Sequence, residues 1–122
     1  MALPVNHPVN EARVNAHSPS VGTSPIAAYC TAPFRGKLIK VIGVINGAIS
    51  VADCSVAVTI NGTAVTGSPF IIAQSGSGAG TTGSLTPSGA NTVNEDDYIS
   101  VTPSGATGSS VTGNFLCVFA RA

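Results

Sequence analysis

The run Cys54–Ile60 alternates without a fault: Cys54, Val56, Val58 and Ile60 fall on one side, and Ser55, Ala57 and Thr59 on the other. In a strand, period-two alternation turns one set into a core and leaves the other in water. This run therefore commits the chain to half-buried β-strands. Its polar side holds only small residues, and charged residues make up only 8% of the chain. A surface so poor in charge suits packing against neighbours better than solvation of a free monomer.

Other segments repeat the strand signal. Ile26–Thr31 reads as a strand, broken by Ala32–Gly36. Lys37–Ile45 is apolar on both faces, with Leu38, Ile42 and Val44 on one and Ile39, Val41 and Ile45 on the other. A strand of that kind is central or covered. Asn46-Gly47 closes it with a dipeptide that favours positive φ. Ile60-Asn61-Gly62-Thr63 is the strongest hairpin signal in the chain. Further strands are expected at Thr63–Val65, Phe70–Ala73, Thr81–Leu85, Tyr98–Thr102 and Val111–Ala120, separated by the polar loops 75–80 and 103–109. In the last strand Phe115, Cys117 and Phe119 form one face, and Leu116, Val118 and Ala120 the other. About eight short strands at this spacing predict an all-β, jelly-roll-like antiparallel sandwich. The pentapeptide TPSGA recurs at 86–90 and 102–106, which is read as shared turn chemistry more readily than as duplication.

A chain of 122 residues is expected to form one domain. Residues 1–25 differ in composition from 26–122: Pro4, Pro8, Pro19 and Pro25 recur, and both histidines, His7 and His17, fall there. Proline favours extended backbone, so 1–25 reads as an extended arm of up to about 80 Å, ordered for docking or disordered in solution, with the sandwich in 26–122. Aromatics are 5% of the chain and Trp is absent, so Val, Ile, Leu and Ala must fill the core around Phe34, Phe70, Phe115 and Phe119.

Formal charge is zero. Arg13, Arg35, Lys37, Lys40 and Arg121 are too few and scattered for the basic stripe that nucleic acid requires. No apolar stretch approaches the roughly 20 residues of a membrane helix, and Met1–Asn10 lacks the basic and apolar regions of a secretory signal. The three cysteines, Cys30, Cys54 and Cys117, show no CxxC spacing. They read as free buried thiols in a reducing cytoplasm, with a Cys30–Cys117 bridge as the alternative.

The signals for chemistry are weak. His7 and His17 lie in the arm, far from any expected core, and Cys30, Cys54 and Cys117 have no histidine within the folded domain to activate them, so no enzyme is expected. Asn94–Asp97 holds three of the five acids, short of the six to eight oxygens of a calcium shell, and reads as a solvated turn. The loop 75–80 has glycines but no Lys-Ser/Thr after them, so it is not a phosphate cradle. Tyr29 and Tyr98 make a thin platform for sugar stacking. No cofactor or metal is expected.

Several stretches together resemble a group of small tailed-phage virion proteins: APFRGKLIKV at 32–41, VAVTINGTAV at 56–65, FIIAQSGS at 70–77, NTV at 91–93, the acidic turn before YISV at 98–101, and FAR at 119–121. The resemblance covers about three quarters of the chain. It departs from the usual Glu-Gly-Asp turn by placing Asp96 where glycine would sit. It implies a β-sandwich or jelly-roll decoration (cement) protein on the outer capsid surface of a virion assembled in the host cytoplasm. The partners implied are the major capsid protein and a second copy of the chain, as a homodimer or alternatively a trimer. Adhesion rather than catalysis is implied, with contacts expected at Val5, Val9 and Val14 of the arm and Phe115, Cys117 and Phe119 of the last strand. The alternatives are a head-fibre or receptor- or glycan-binding virion module, and a bacterial adhesion domain.

Overall fold

The computed structural model describes residues 11–108 and 110–121. Among these there is no helix. In chain order the strands are β1 (Glu11–Ser18), β2 (Ala28–Thr31), β3 (Gly36–Ile45), β4 (Cys54–Ile60), β5 (Thr63–Ala64), β6 (Phe70–Ile72), β7 (Thr82–Leu85), β8 (Thr92–Val93), β9 (Tyr98–Ser104) and β10 (Gly113–Arg121). Sheet A has the order β1-β10-β3-β7, with β8 also on β3; sheet B has the order β2-β9-β4-β5, with β6 also on β4. Every pairing is antiparallel.

The pairings are nested. β4 meets β5 and β6, β3 meets β7 and β8, β2 meets β9, and β1 meets β10. The chain is one long hairpin, rolled so that successive turns of the roll fall in opposite sheets, which is the jelly-roll arrangement. Its tip is Asn61-Gly62. Ile60 pairs with Thr63 across a two-residue turn, with φ of 50° at Asn61 and 89° at Gly62. Positive φ at both positions marks the turn whose twist matches that of its strands.

The inner faces meet in a core of aliphatic residues and phenylalanines. Phe115, Phe119, Leu38, Ile45, Ile72 and Ile99 are fully buried. The Phe70 ring of sheet B meets Phe115 of sheet A edge to face, with centroids 6.4 Å apart. Burying each phenylalanine contributes about 2–3 kcal/mol.

The structure changes three details. First, Glu11–Ser18, expected within the arm, is a strand of the sandwich, paired along its whole length with β10. Ala12, Val14, Ala16 and Ser18 turn inward. Only residues 1–10 of the expected arm remain, and they lie outside the described residues. Second, Leu38 does not share a face with Ile42 and Val44. Val118 pairs with Lys40 and Phe119 with Leu38, so Ile39 is the extra residue of a bulge and Leu38 joins Val41 and Ile45 in the core. Third, Asn46-Gly47 ends β3 without positive φ. Asn46 instead bonds Thr112 through backbone and side chain.

The two TPSGA copies also differ. The first lies in the connection after β7, with φ of 50° at Ala90, while Thr102–Ser104 of the second continues β9 before Gly105 at φ 97°. The equal sequences thus take unlike conformations, which argues against a duplicated structural unit.

Candidate functional site

With both inner faces spent on the core, function falls to the outward faces and loops. On sheet A, register aligns Arg13, Val118 and Lys40 in one row; Asn15, Leu116, Ile42 and Ser84 in the next; and His17, Asn114, Val44 and Thr82 in a third. The middle of this face is apolar: Leu116, Ile42 and Val44 are half-buried, and Val118 is only 4% exposed although it stands outside the core cluster. Its rim is polar and basic, with Arg13, Lys37 and Lys40 exposed. Glu11, also exposed, pairs with Arg13 at 3.5 Å. An exposed pair of this kind contributes little to stability. His17 Nδ1 lies 2.9 Å from Asn114 Oδ1.

The last strand is therefore two-sided, but its sides are the reverse of the expected assignment. Phe115, Cys117 and Phe119 are fully buried between the sheets and present no surface to a partner. Their bulk is what fills the sandwich. Val14 also packs against the core. The outward side of this strand is Leu116, Val118 and Ala120, of which Leu116 and Ala120 are half-buried and Val118 is covered by its neighbours. Val5 and Val9 lie outside the described residues.

The outward face of sheet B is made of Ser55, Ala57, Thr59, Ser100, Thr102 and Ser104, and the Thr59 and Ser100 hydroxyls are bonded to each other. At one end stand Tyr29 and Tyr98, 64% and 45% exposed, with ring centroids 6.4 Å apart and planes tilted by 53°. The fold thus brings together two tyrosines that are distant in sequence.

The acidic turn is held by its own backbone. Asn94 N–H donates to Asp97 Oδ2 at 2.8 Å, Asp97 N–H to the Asn94 carbonyl at 3.1 Å, and Asp96 N–H to the Ala32 carbonyl at 3.0 Å. The Asn94 bond, and after it one from the Asn61 side chain, hold the Asp97 carboxyl below its ordinary value. Asp96 has φ of 72°, the left-handed conformation that glycine would take at that position. Among the described residues no three His, Cys, Asp or Glu side chains converge as a metal site would require.

Of the basic cluster, Lys37 and Lys40 project from the rim of sheet A, and Arg35 is exposed in the connection before β3. Arg121 lies over the Phe34 ring at 4.4 Å, tying the end of β10 to that connection.

No protein-family model and no curated protein matches the chain in sequence. In fold it is similar to a chain of the cyanophage Pam1 capsid asymmetric unit, with a TM-score of 0.59 and 14% identity over 100% of this chain and 93% of that one. It is also similar to a chain of the acid-stable capsid of Helicobacter pylori bacteriophage KHP30, with a TM-score of 0.54 and 12% identity over 90% of this chain and 92% of that one. A third likeness is to the catalytic unit of a GH87 α-1,3-glucanase from Streptomyces thermodiastaticus, with a TM-score of 0.50 and 13% identity, covering 92% of this chain but 26% of that one. At these identities the likeness is one of fold.

Proposed function

We propose that this chain is a structural protein of a bacteriophage virion that binds the outer surface of the capsid and stabilises the head. The observation that carries the reading is the match, over nearly the whole of both chains, with chains of two phage capsids. The enzyme likeness spans only a quarter of its partner. A cement role requires a stiff scaffold and contact area, with no catalysis, and the sandwich with its charge-poor faces fits that requirement.

The docking surface in this reading is the outward face of sheet A, and its occupant is the major capsid protein. Leu116, Ile42 and Val44 supply apolar contact, and Val118 lies between Arg13 and Lys40 in register. The basic rim favours an acidic border on the shell and steers the approach. Many symmetric copies turn modest contacts into lasting attachment. Val5 and Val9, just before β1 at the edge of this sheet, extend the contact to a neighbouring subunit. The protein is taken to act as a homodimer, with a trimer as the alternative.

Co-sedimentation with phage heads lacking the protein tests the reading. Wild type should pellet with heads, and Leu116→Asp with Ile42→Asp should remain in the supernatant. Removal of residues 1–10 should weaken binding; a longer truncation would remove β1 and with it the fold. Equal pelleting of all three would refute the assignment of this face.

The exposed Tyr29–Tyr98 pair favours a second reading, a glycan-binding virion module in which sugar rings stack on the tyrosines. A glycan array in which binding depends on both tyrosines would favour it over the first.

A further inference from the structure

Among the described residues, β1 is the long strand with an open edge. It runs eight residues and pairs only with β10. The other strands with a single partner are short: four residues in β2 and β7, three in β6, two in β5 and β8. Short length, bulges, lysines and prolines are the devices that keep a sheet edge from pairing. β1 has none of them: its register with β10 is unbroken, and EARVNAHS holds no lysine or proline. Every second residue turns its backbone N–H and C=O toward the open side. The inward side chains Ala12 and Val14 pack against the core yet stay half-buried, because nothing described covers them from that edge.

We propose that β1 pairs antiparallel with β1 of a second copy, about a two-fold axis normal to sheet A that passes through Val14. The inference rests on the homodimer reading above and names its interface. In an isologous contact, if residue i meets j then j meets i. Opposite residues of a sheet share a face, so the axis must pass through a residue. With Val14 on the axis, residues 11–17 pair. On the inner side Val14 meets the partner's Val14, and Ala12 meets the partner's Ala16. On the outer side Glu11 meets the partner's His17, and Arg13 meets the partner's Asn15. All four outer residues are exposed.

Charge selects this register. With Arg13 on the axis, two arginines would stand opposite each other; with Asn15 on the axis, Arg13 would face the partner's His17. Like charges directly opposite destabilise a sheet. With Val14 on the axis, each charged residue meets an opposite or a neutral one. The Asn114 Oδ1 that lies 2.9 Å from His17 Nδ1 accepts from it, which leaves Nε2 for the partner's Glu11. A second proton on the ring makes that nitrogen a donor to the carboxylate. Glu11 is held only by its exposed 3.5 Å pair with Arg13, a weak competitor. A two-fold axis normal to the sheet keeps both outward faces on one side. The two copies then share one continuous sheet, five strands from each, with both Leu116–Ile42–Val44 surfaces turned the same way. Binding of one surface to the shell raises the effective concentration of the other.

Sedimentation velocity of the full chain over a concentration series should show a dimer. Glu11→Lys alone and His17→Glu alone should each weaken it about tenfold, because the change is repeated at two symmetric pairs. The two together should restore it, since the pair is rebuilt with its signs exchanged. Both positions are exposed, so these variants remain informative even if a change at the half-buried Val14 disturbs folding. Val14→Cys should link two chains by a disulfide under mild oxidation, because the two copies of that residue face each other. Asn15→Cys should not, because its copies lie diagonally, roughly 7–8 Å apart. The native cysteines are free and Cys30 is the half-buried one, so Cys30→Ser accompanies both variants. Removal of residues 1–10 should leave the dimer in place. A monomer or a trimer would overturn the homodimer reading and this interface with it. A dimer indifferent to the charge changes, one linked through residue 15 and not 14, or one lost with residues 1–10 would overturn the interface alone. None of these readouts uses heads, so attachment to the capsid is judged separately.

Discussion

Gly43 lies directly beneath the Phe115 ring. A Cβ added at residue 43 would sit 2.8 Å from Phe115 Cε1 and 3.4 Å from Ile72 Cδ1. The glycine is what lets a full aromatic ring occupy the centre of the sandwich. Gly43→Ala should cost about 1–3 kcal/mol by overpacking, and Phe115→Ala about 3–5 kcal/mol by leaving a cavity. Urea denaturation of the two variants, singly and combined, checks both. In the double variant the added methyl enters the space vacated by the ring, so the combined loss should be smaller than the sum.

Asp96 adopts a backbone conformation that glycine takes without steric cost. Asp96→Gly should leave stability unchanged or raise it by up to about 1 kcal/mol, while Asp96→Val should lower it by about 1–2 kcal/mol. Thermal midpoints of the pair measure the difference. A Val variant as stable as the Gly variant would show that the turn adopts another conformation.

The hydrogen bonds from Asn94 and Asn61 lower the Asp97 carboxyl in the folded state. A group lowered on folding contributes stability above its unfolded value, and that contribution is lost as pH falls through the folded value. The urea midpoint of the wild type should therefore drop below about pH 4. Asp97→Asn should start lower at neutral pH and fall less steeply over the same acid range. Parallel curves for the two proteins would contradict the account.

The outward face of sheet A separates binding from stability. Leu116→Ser should cost about 1 kcal/mol, as expected for a half-buried side chain, yet weaken attachment to heads about tenfold or more if Leu116 is a central contact. Phe119→Ala should do the opposite per molecule folded, with a large loss of stability and unchanged affinity in the fraction that remains native. Affinities measured at equal folded concentration distinguish the two effects.

The tip of the roll was legible in the sequence, because Asn61-Gly62 carries its turn type in its residues and Cys54–Ile60 alternates cleanly. So was the sandwich, and the structure bears it out. β1 was obscured because its inward set, Ala12, Val14, Ala16 and Ser18, is small and prolines flank it; the alternation is present but carries little hydrophobic contrast. The bulge at Ile39 was hidden because both faces of β3 are apolar, so that a shift of one residue leaves no mark on the pattern. In β10 the two faces were correctly divided and wrongly assigned. The volume of Phe115 and Phe119 in a chain with few aromatics was the signal that those residues fill the core. The proximity of Tyr29 to Tyr98 depends on the nesting of strands, which no local pattern states.

The measurement that tests the central claim most directly is cryo-electron microscopy of phage heads lacking this protein, before and after addition of the purified chain. The account predicts regular new density on the outer shell, into which the sandwich fits with the Leu116–Ile42 face turned toward the major capsid protein. Heads that stay bare, or density in which that face points to solvent, would contradict it.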